Sequence, residues 1–371
     1  MRAVVVGGGV AGSAAAIALR TIGAEVVVLE AHPDPAGSVG SFVSLAHNGL
    51  RALGALGCLG DVQQAGFAVP RQLMWSGRGR LLADVARART EDSPLHSVTL
   101  MRGELVATLR RAAARMGATV LTGRPVTDPT GDSALTGADL VVGADGVWSR
   151  VREGLDEQAP QPVFAGLASV SGSAAPGVEP DEEQQGTFNL VLGRRATFLY
   201  LPTPDGRLWW SAQLAGRSAP GAGAYDLPTL RGVFSTEPQV LRVLERAEPA
   251  VTLARHHTLG PLRRTFDDRT VLVGDAVHPV GAGQGASMAI EDAIVLARTL
   301  ARSPDVATGI RTHVGRRRGR VDDLMKMARK GTDAKNAGPV AAWFRDLVMP
   351  LAFPRVYPRA TGWLYRDEPV C

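Results

Sequence analysis

Residues 3–30 read AVVVGGGVAGSAAAIALRTIGAEVVVLE. Residues 3–6 are a short β-branched run, the pattern of a strand buried on both faces. Gly7-Gly8-Gly9-Val10-Ala11-Gly12 follows, and then a segment with helical periodicity that stops at Gly23. Residues 25–29 form a second apolar strand, and Glu30 ends it. Strand, GxGxxG, helix, strand and acid in this order make a dinucleotide-binding fingerprint. Gly7 permits the tight turn, Gly9 lets the backbone approach a pyrophosphate, and Gly12 lets helix and strand pack closely. The helix N-terminus offers unpaired N–H groups and its positive dipole end to phosphate. Glu30 can accept both hydroxyls of an adenosine ribose, and its charge disfavours a 2′-phosphate.

A second stretch, residues 271–300, reads VLVGDAVHPVGAGQGASMAIEDAIVLARTL. It parses as a buried strand, a turn with one charge, a glycine-rich loop and an amphipathic helix from Met288. A strand, a bare loop and a helix N-terminus make a site for something flat, polar-edged and electron-rich. Between the two stretches, residues 44–57 and 102–116 read as helices, and 97–100, 119–121 and 140–142 as strands. The last strand runs into GADGVWSRVR, where Asp145-Gly146 makes a turn or a polar wall beside a ligand. Residues 69–84 alternate around Gly77-Arg78-Gly79 as a hairpin, and 32–40 and 87–94 read as loops.

From 160 to 260 the helical period fades. Alternating runs cover 186–192, 196–201, 207–214 and 251–259, with helical pieces at 227–234 and 238–247. This reads as a mostly antiparallel sheet inserted into the nucleotide-binding domain, with one face free for a substrate pocket. Phe188, Trp209, Gln213 and Pro279 are candidates for its lining. Residues 306–330 read as a long helix and 341–349 as another, closed by Pro350 and followed by an irregular tail. The expected fold is α/β. Residues 1–68, 96–158 and 262–330 form the nucleotide-binding domain, 69–95 and 159–261 the substrate domain, and 331–371 a C-terminal cap.

The 371 residues suffice for one large or two moderate domains with real cores. The net charge of +5 comes from dispersed arginines, with lysine only at Lys326, Lys330 and Lys335. The one cluster, Arg316-Arg317-Arg318 with Arg320, reads as a solvated helix face rather than a nucleic-acid site. Cys58 and Cys371 belong to no CxxC, so neither a disulfide framework nor a metal site is expected. No run reaches the length of a membrane span, and the first apolar run is too short for a signal peptide. A cytoplasmic protein, monomeric or homodimeric, is the expectation.

Three motifs stand in order: GGGVAG with Glu30, GADGVWSR, and GDAVHPVGAGQGASMAIEDA. Together they resemble the single-component FAD-dependent aromatic hydroxylases (group A flavoprotein monooxygenases, the para-hydroxybenzoate hydroxylase fold) over residues 4–300. Asn48-Gly49-Leu50-Arg51-Ala52-Leu53 resembles the family's first long helix. Met101-Arg102-Gly103-Glu104-Leu105 resembles its FAD-binding arginine segment. The resemblance implies a Rossmann-like FAD-binding domain of the GR2 type, an inserted antiparallel substrate domain and a C-terminal helical segment. It implies that Gly7, Gly9, Val10, Ala11, Gly12, Glu30 and Ala31 hold the ADP half of FAD. Arg102 would lie along the ribityl–pyrophosphate region, the backbone at Val126 would touch the adenine, and Asp145 would sit near the pyrophosphate in a motif linked to both FAD and NAD(P)H. Gly274 and Asp275 would serve the ribityl hydroxyls. Gly285, Ala286 and Ser287 would present backbone N–H groups to the pyrimidine edge, where reduced flavin carries negative charge.

The implied reaction starts with reduction of the flavin by NADPH or NADH. O₂ then gives a flavin C4a-hydroperoxide, whose distal oxygen passes to an aromatic or polycyclic small molecule. His47, His256, His257 and His278 are candidates for a base by type alone, and His278 belongs to the third motif. The chain departs from many relatives in its short Val280-Gly281-Ala282 segment after Pro279, and in having Ala31 and His32 where an arginine is common. A flavin-dependent halogenase is set aside, because no lysine precedes Lys326 and WxWxIP is missing. Epoxidation or other tailoring of a non-aromatic metabolite, reduction of a prenyl chain, and a flavin-binding regulator without turnover are the alternatives.

Overall fold

The computed structural model describes residues 1–33, 41–90, 93–175, 186–280, 283–334 and 339–365. The strand Arg2–Val6 pairs in parallel with Glu25–Leu29 on one side and Leu140–Gly143 on the other. Thr119–Leu121 and Thr270–Leu272 complete a five-stranded parallel sheet. The helix Val10–Thr21 covers one face with Ala14, Ala15 and Ala18 buried. Its small side chains let the helix Gly285–Ala301 pack closely against it in the same core. The helix also sits tight on the turn before it: a Cβ on Gly12 would lie 1.8 Å from the Gly7 carbonyl oxygen, and Gly7 has φ +96°.

A seven-stranded sheet forms the second layer. Its order is Thr252–Thr258, Val163–Ala174, Leu208–Ala215, Thr197–Pro202, Thr187–Leu192, Arg71–Ser76, Leu81–Ala86. All pairs are antiparallel except Thr187–Leu192 with Arg71–Ser76. One face packs against the helices Leu227–Val233 and Pro238–Glu245 through Phe198, Trp210 and Phe234. The Phe198 ring stacks on Trp210 at 5.7 Å and meets the edge of Phe234 at 5.3 Å. The opposite face turns toward the parallel sheet. A small sheet of Phe42–Leu45, Val98–Met101 and Phe67–Ala68 joins the two layers.

Several expectations are corrected. Arg317 and Arg320, expected on a solvated helix face, are buried in ion pairs with Glu291 and Asp292. The long strand Val163–Ala174 lies where the sequence pattern suggests no strand. Residues 42–45 pair with Val98–Met101, so the helix expected from residue 44 begins at His47. The chain after Pro350 is not irregular: one helix, Pro339–Tyr365, runs through Pro350, Pro354 and Pro358. Each internal proline removes one N–H donor, and packing sustains the helix despite that loss. Met349 and Phe353 lie against Met74, Leu82 and Ala83, while Leu364 and Tyr365 lie against Met288 and Leu324. Among the described residues, no helix is long and apolar enough to cross a membrane.

Candidate functional site

Two cavities adjoin along the C-terminal edge of the parallel strands, of about 520 and 590 Å³, sharing Gly9, Arg102, Ala144 and Gly146. Gly7, Glu30, Ala31, Val126 and Asp145 line the first. Val10, Ala11, Asp275, Gly285 and Ala286 line the second, facing Phe188 and Gln213 on the large sheet. The other five expected residues stand behind the walls. Gly12 and Gly274 act through close packing, since a Cβ on Gly274 would lie 2.8 Å from that of Ala11. The Ser287 hydroxyl is buried and accepts the Ala46 N–H at 3.1 Å, while its backbone N–H stays in the open first turn of its helix. Trp209 stacks on Phe42, which lines the second cavity, and Pro279 is buried away from both.

The residues fit FAD. A Cβ on Gly9 would meet nothing within 4 Å, so the backbone there is open to a ligand. The helices Val10–Thr21 and Gly285–Ala301 both begin at the cavities with no side-chain cap and no acid in the first turn, so their N–H groups and dipole ends are unspent. The Asp275 carboxylate opens on the second cavity and accepts no hydrogen bond among the described residues. Burial pushes its carboxyl above the usual range, with His278 and Arg102 opposing. Ligand hydroxyls would relieve that.

Glu30 is already oriented. Its Oε2 accepts the Gly8 N–H at 2.7 Å and Arg110 Nη2 at 3.1 Å, and Oε1 accepts the His32 N–H at 2.8 Å. Arg110, which no motif pointed to, also donates Nε to the Gly8 carbonyl at 2.7 Å. Asp145 caps the helix Arg150–Leu155: it accepts the Ser149 hydroxyl at 2.5 Å and the N–H groups of Arg150 and Val151 at 2.7 and 3.1 Å. Its side chain therefore shapes the wall of the first cavity.

On the large sheet, the cavity face grades from polar to apolar. Ser169, Ser211, Gln213 and His256 lie at one end and Leu190, Leu199 and Phe188 at the other. Ser169 Oγ lies 2.7 Å from His256 Nε2. At the apolar end the Arg87 guanidinium sits 3.4 Å over the Phe188 ring and donates Nη1 to Gln72 at 2.7 Å. Burial lowers the Arg87 pKa to about 10, well above neutrality, so it stays charged. The other candidate histidines lie elsewhere. His47 pairs with Ser93 at 2.7 Å, His257 meets the edge of Trp148 at 5.0 Å, and His278 is buried against Asp292.

A family model described as an FAD binding domain matches residues 1–318. The chain belongs to this FAD-binding family. It is 29% identical to an FAD-dependent urate hydroxylase of Klebsiella oxytoca, over 94% of each chain. It is 31% identical to a kynurenine 3-monooxygenase of Salinispora arenicola, over 88% of this chain and 78% of that one. A 3-hydroxybenzoate 6-hydroxylase of Aquipseudomonas alcaligenes is 28% identical, over 99% and 98%. Among solved structures, a variant of Klebsiella pneumoniae HpxO complexed with FAD superposes with a TM-score of 0.82 at 25% identity, covering 98% of both chains. The protein is an FAD-dependent monooxygenase.

In this flavoprotein a buried charge network supports the cavity wall from behind. Asp292 accepts the Gly274 N–H at 3.0 Å, His278 Nε2 at 2.5 Å and Arg317 Nε at 2.7 Å. Burial would raise its carboxyl, but His278 and Arg317 hold it far below the usual range. Burial also works against a charged His278, yet the Asp292 carboxylate outweighs it and the imidazole pKa is raised. Glu291 accepts Asn48, Arg317 and Arg320, and Arg320 donates to the carbonyls of Trp363 and Leu364 at 3.1 and 2.7 Å. Arg152, fully buried, joins the second and third motifs through the Val147 and Ala276 carbonyls at 2.8 and 3.0 Å.

Proposed function

We propose that this monooxygenase hydroxylates a small aromatic compound carrying an acidic group, using NADH or NADPH and O₂. One observation carries the reading: a single space of about 590 Å³ joins Asp275 and Gly285 to the sheet face of Phe188, Ser169 and Arg87. That volume suits a small-molecule site. Bound FAD supplies the chemistry, accepting reducing equivalents from NAD(P)H and reacting with O₂. The protein's share is to hold the substrate in line and exclude water.

Arg87 supports the acidic group. Its buried Nε has no hydrogen-bond partner among the described residues, and its face lies on an aromatic ring. A carboxylate or enolate in the cavity would pair with the guanidinium charge. The names of the relatives agree, since urate, kynurenine and 3-hydroxybenzoate each carry a planar ring and an acidic group. Residues 1–68, 96–158 and 262–330 then serve the FAD and 69–95 with 159–261 the substrate, in a cytoplasmic setting that supplies the nicotinamide.

The test is a screen of the FAD-loaded protein. Hydroxybenzoates and heteroaromatic acids should accelerate NAD(P)H oxidation, and the product should gain one oxygen atom from O₂. A protein that takes up no FAD, or oxidises NAD(P)H at one rate with every aromatic acid, would overturn the reading.

A further inference from the structure

We propose that Ser169 and His256 form a relay that removes the proton from a hydroxyl group on the substrate ring. The inference rests on the reading above that the substrate is aromatic. Val163–Ala174 and Thr252–Thr258 are neighbouring antiparallel strands with Ser169 opposite Ala254. Side chains alternate along a strand, so His256 lies two residues along on the same face as Ala254, and His257 faces away. Ser169, Ala254 and His256 all line the second cavity, whereas Ala168 and Val170 are buried on the other side. Ser169 Oγ and His256 Nε2 are 2.7 Å apart. Among the described residues, His256 is the one histidine lining this cavity.

The chemistry asks for such a pair. Transfer of oxygen to a ring carbon goes faster when the ring is electron-rich, and a phenolate is richer than a phenol. An unassisted phenol with a pKa near 10 stays protonated at neutral pH. In the relay the substrate O–H bond breaks and its proton passes to Ser169 Oγ. The Ser169 proton passes in the same step to the free electron pair on His256 Nε2. The products are a phenolate and an imidazolium, with no electrons gained or lost. The charged groups on the same cavity are Arg87, Arg102, Arg255 and Asp275. The three guanidinium groups favour the phenolate, and the half-buried His256 can return the proton to solvent.

The test reads the ionisation of a bound phenol. FAD-loaded protein is titrated with 4-nitrophenol, 3-hydroxybenzoate and 4-hydroxybenzoate, and phenolate absorbance is followed against pH. In the wild-type protein the bound phenol should ionise about 1 pH unit or more below the free compound. His256→Asn and Ser169→Ala should bring the midpoint back to that of the free compound, with FAD content unchanged, and lower kcat/KM about 10²-fold. Ser169→Thr, which keeps a hydroxyl, should restore the lowered midpoint. A midpoint that stays low in both His256→Asn and Ser169→Ala overturns the relay alone. Failure of all three phenols to bind overturns the aromatic reading and the relay with it.

Discussion

Asp292→Asn tests the support behind the flavin wall. The substitution keeps the shape and removes the charge that three donors share. Arg317, at 2.7 Å, is cationic, and His278, at 2.5 Å, has its charged form favoured by this contact. A hydrogen bond to a charged group contributes about 1.5–3 kcal/mol. Arg317 keeps Glu291 at 2.8 Å, which limits the loss. The expected destabilisation is about 3–5 kcal/mol, typical of a buried pair broken on one side. Asp292 also holds the Gly274 N–H, so the turn carrying Asp275 loosens and FAD affinity falls with stability. The pH dependence follows from both partners. The depressed Asp292 carboxyl contributes at every pH above the unfolded value of about 3.9, and is lost only in stronger acid. The raised His278 contributes fully below about 6.5 and is lost as pH rises through its folded value. The gap between wild type and variant is therefore widest from about pH 4 to 6.5. Urea unfolding across that range, with FAD binding measured alongside, checks it. A gap under about 1 kcal/mol, or one that widens above pH 8, would refute the reasoning.

His313, buried beside this network, has its pKa lowered to about 4, chiefly by burial. Between about pH 6.5 and 4 the unfolded chain holds one more proton, so wild-type stability should fall by about 3 kcal/mol on that account, and the acid limb of His313→Gln should be shallower by close to one proton. Asp275→Ala should lower the FAD retained after dialysis while leaving the FAD-free protein as stable or more so, and unchanged flavin content would count against its assignment. Gly12→Ala puts a Cβ 1.8 Å from a carbonyl oxygen, and should cost about 3 kcal/mol or more in unfolding experiments. Arg87→Gln should raise KM about 10²-fold for carboxylated substrates and little for their neutral amides.

The parallel half of the fold was legible because its strands are apolar runs and its turns need glycine. The strand Val163–Ala174 was not, because its sequence VFAGLASVSGSA is rich in serine and glycine. Its Gly172 has a tertiary reason: a Cβ there would lie 2.7 Å from Trp210. Similarly, Pro350 marks a stop by local chemistry, while the packing that carries the helix past it comes from residues 74–83. The glycine-rich turns that line both cavities come from the motifs, whereas most of the lining on the large sheet lies in no motif. Arg110 and Arg87 were not legible either, since arginine on a helix or in a loop reads as solvated until its partner is known, and for Arg110 that partner is 80 residues away. Asp145 lines the first cavity while its carboxylate is engaged by the helix that follows it, a partnership no motif spells out. The short segment after Pro279 falls on residues 281–282 and most of the 32–40 loop on 34–40, outside the described residues.

The parallel pairing of Arg71–Ser76 with Thr187–Leu192 has a consequence during synthesis. The hairpin is complete at Ala86, but the strand that covers its inner edge starts at Thr187, 111 residues after Ser76. A ribosome adding about 5–20 residues per second leaves that edge unpaired for roughly 6–20 s. The flavin helix Gly285–Ala301 is made later still, so the cofactor cannot help to hold the nascent hairpin. Unpaired strand edges recruit other chains. Yield from rapid expression should therefore respond to slower translation or added chaperone more than to added FAD.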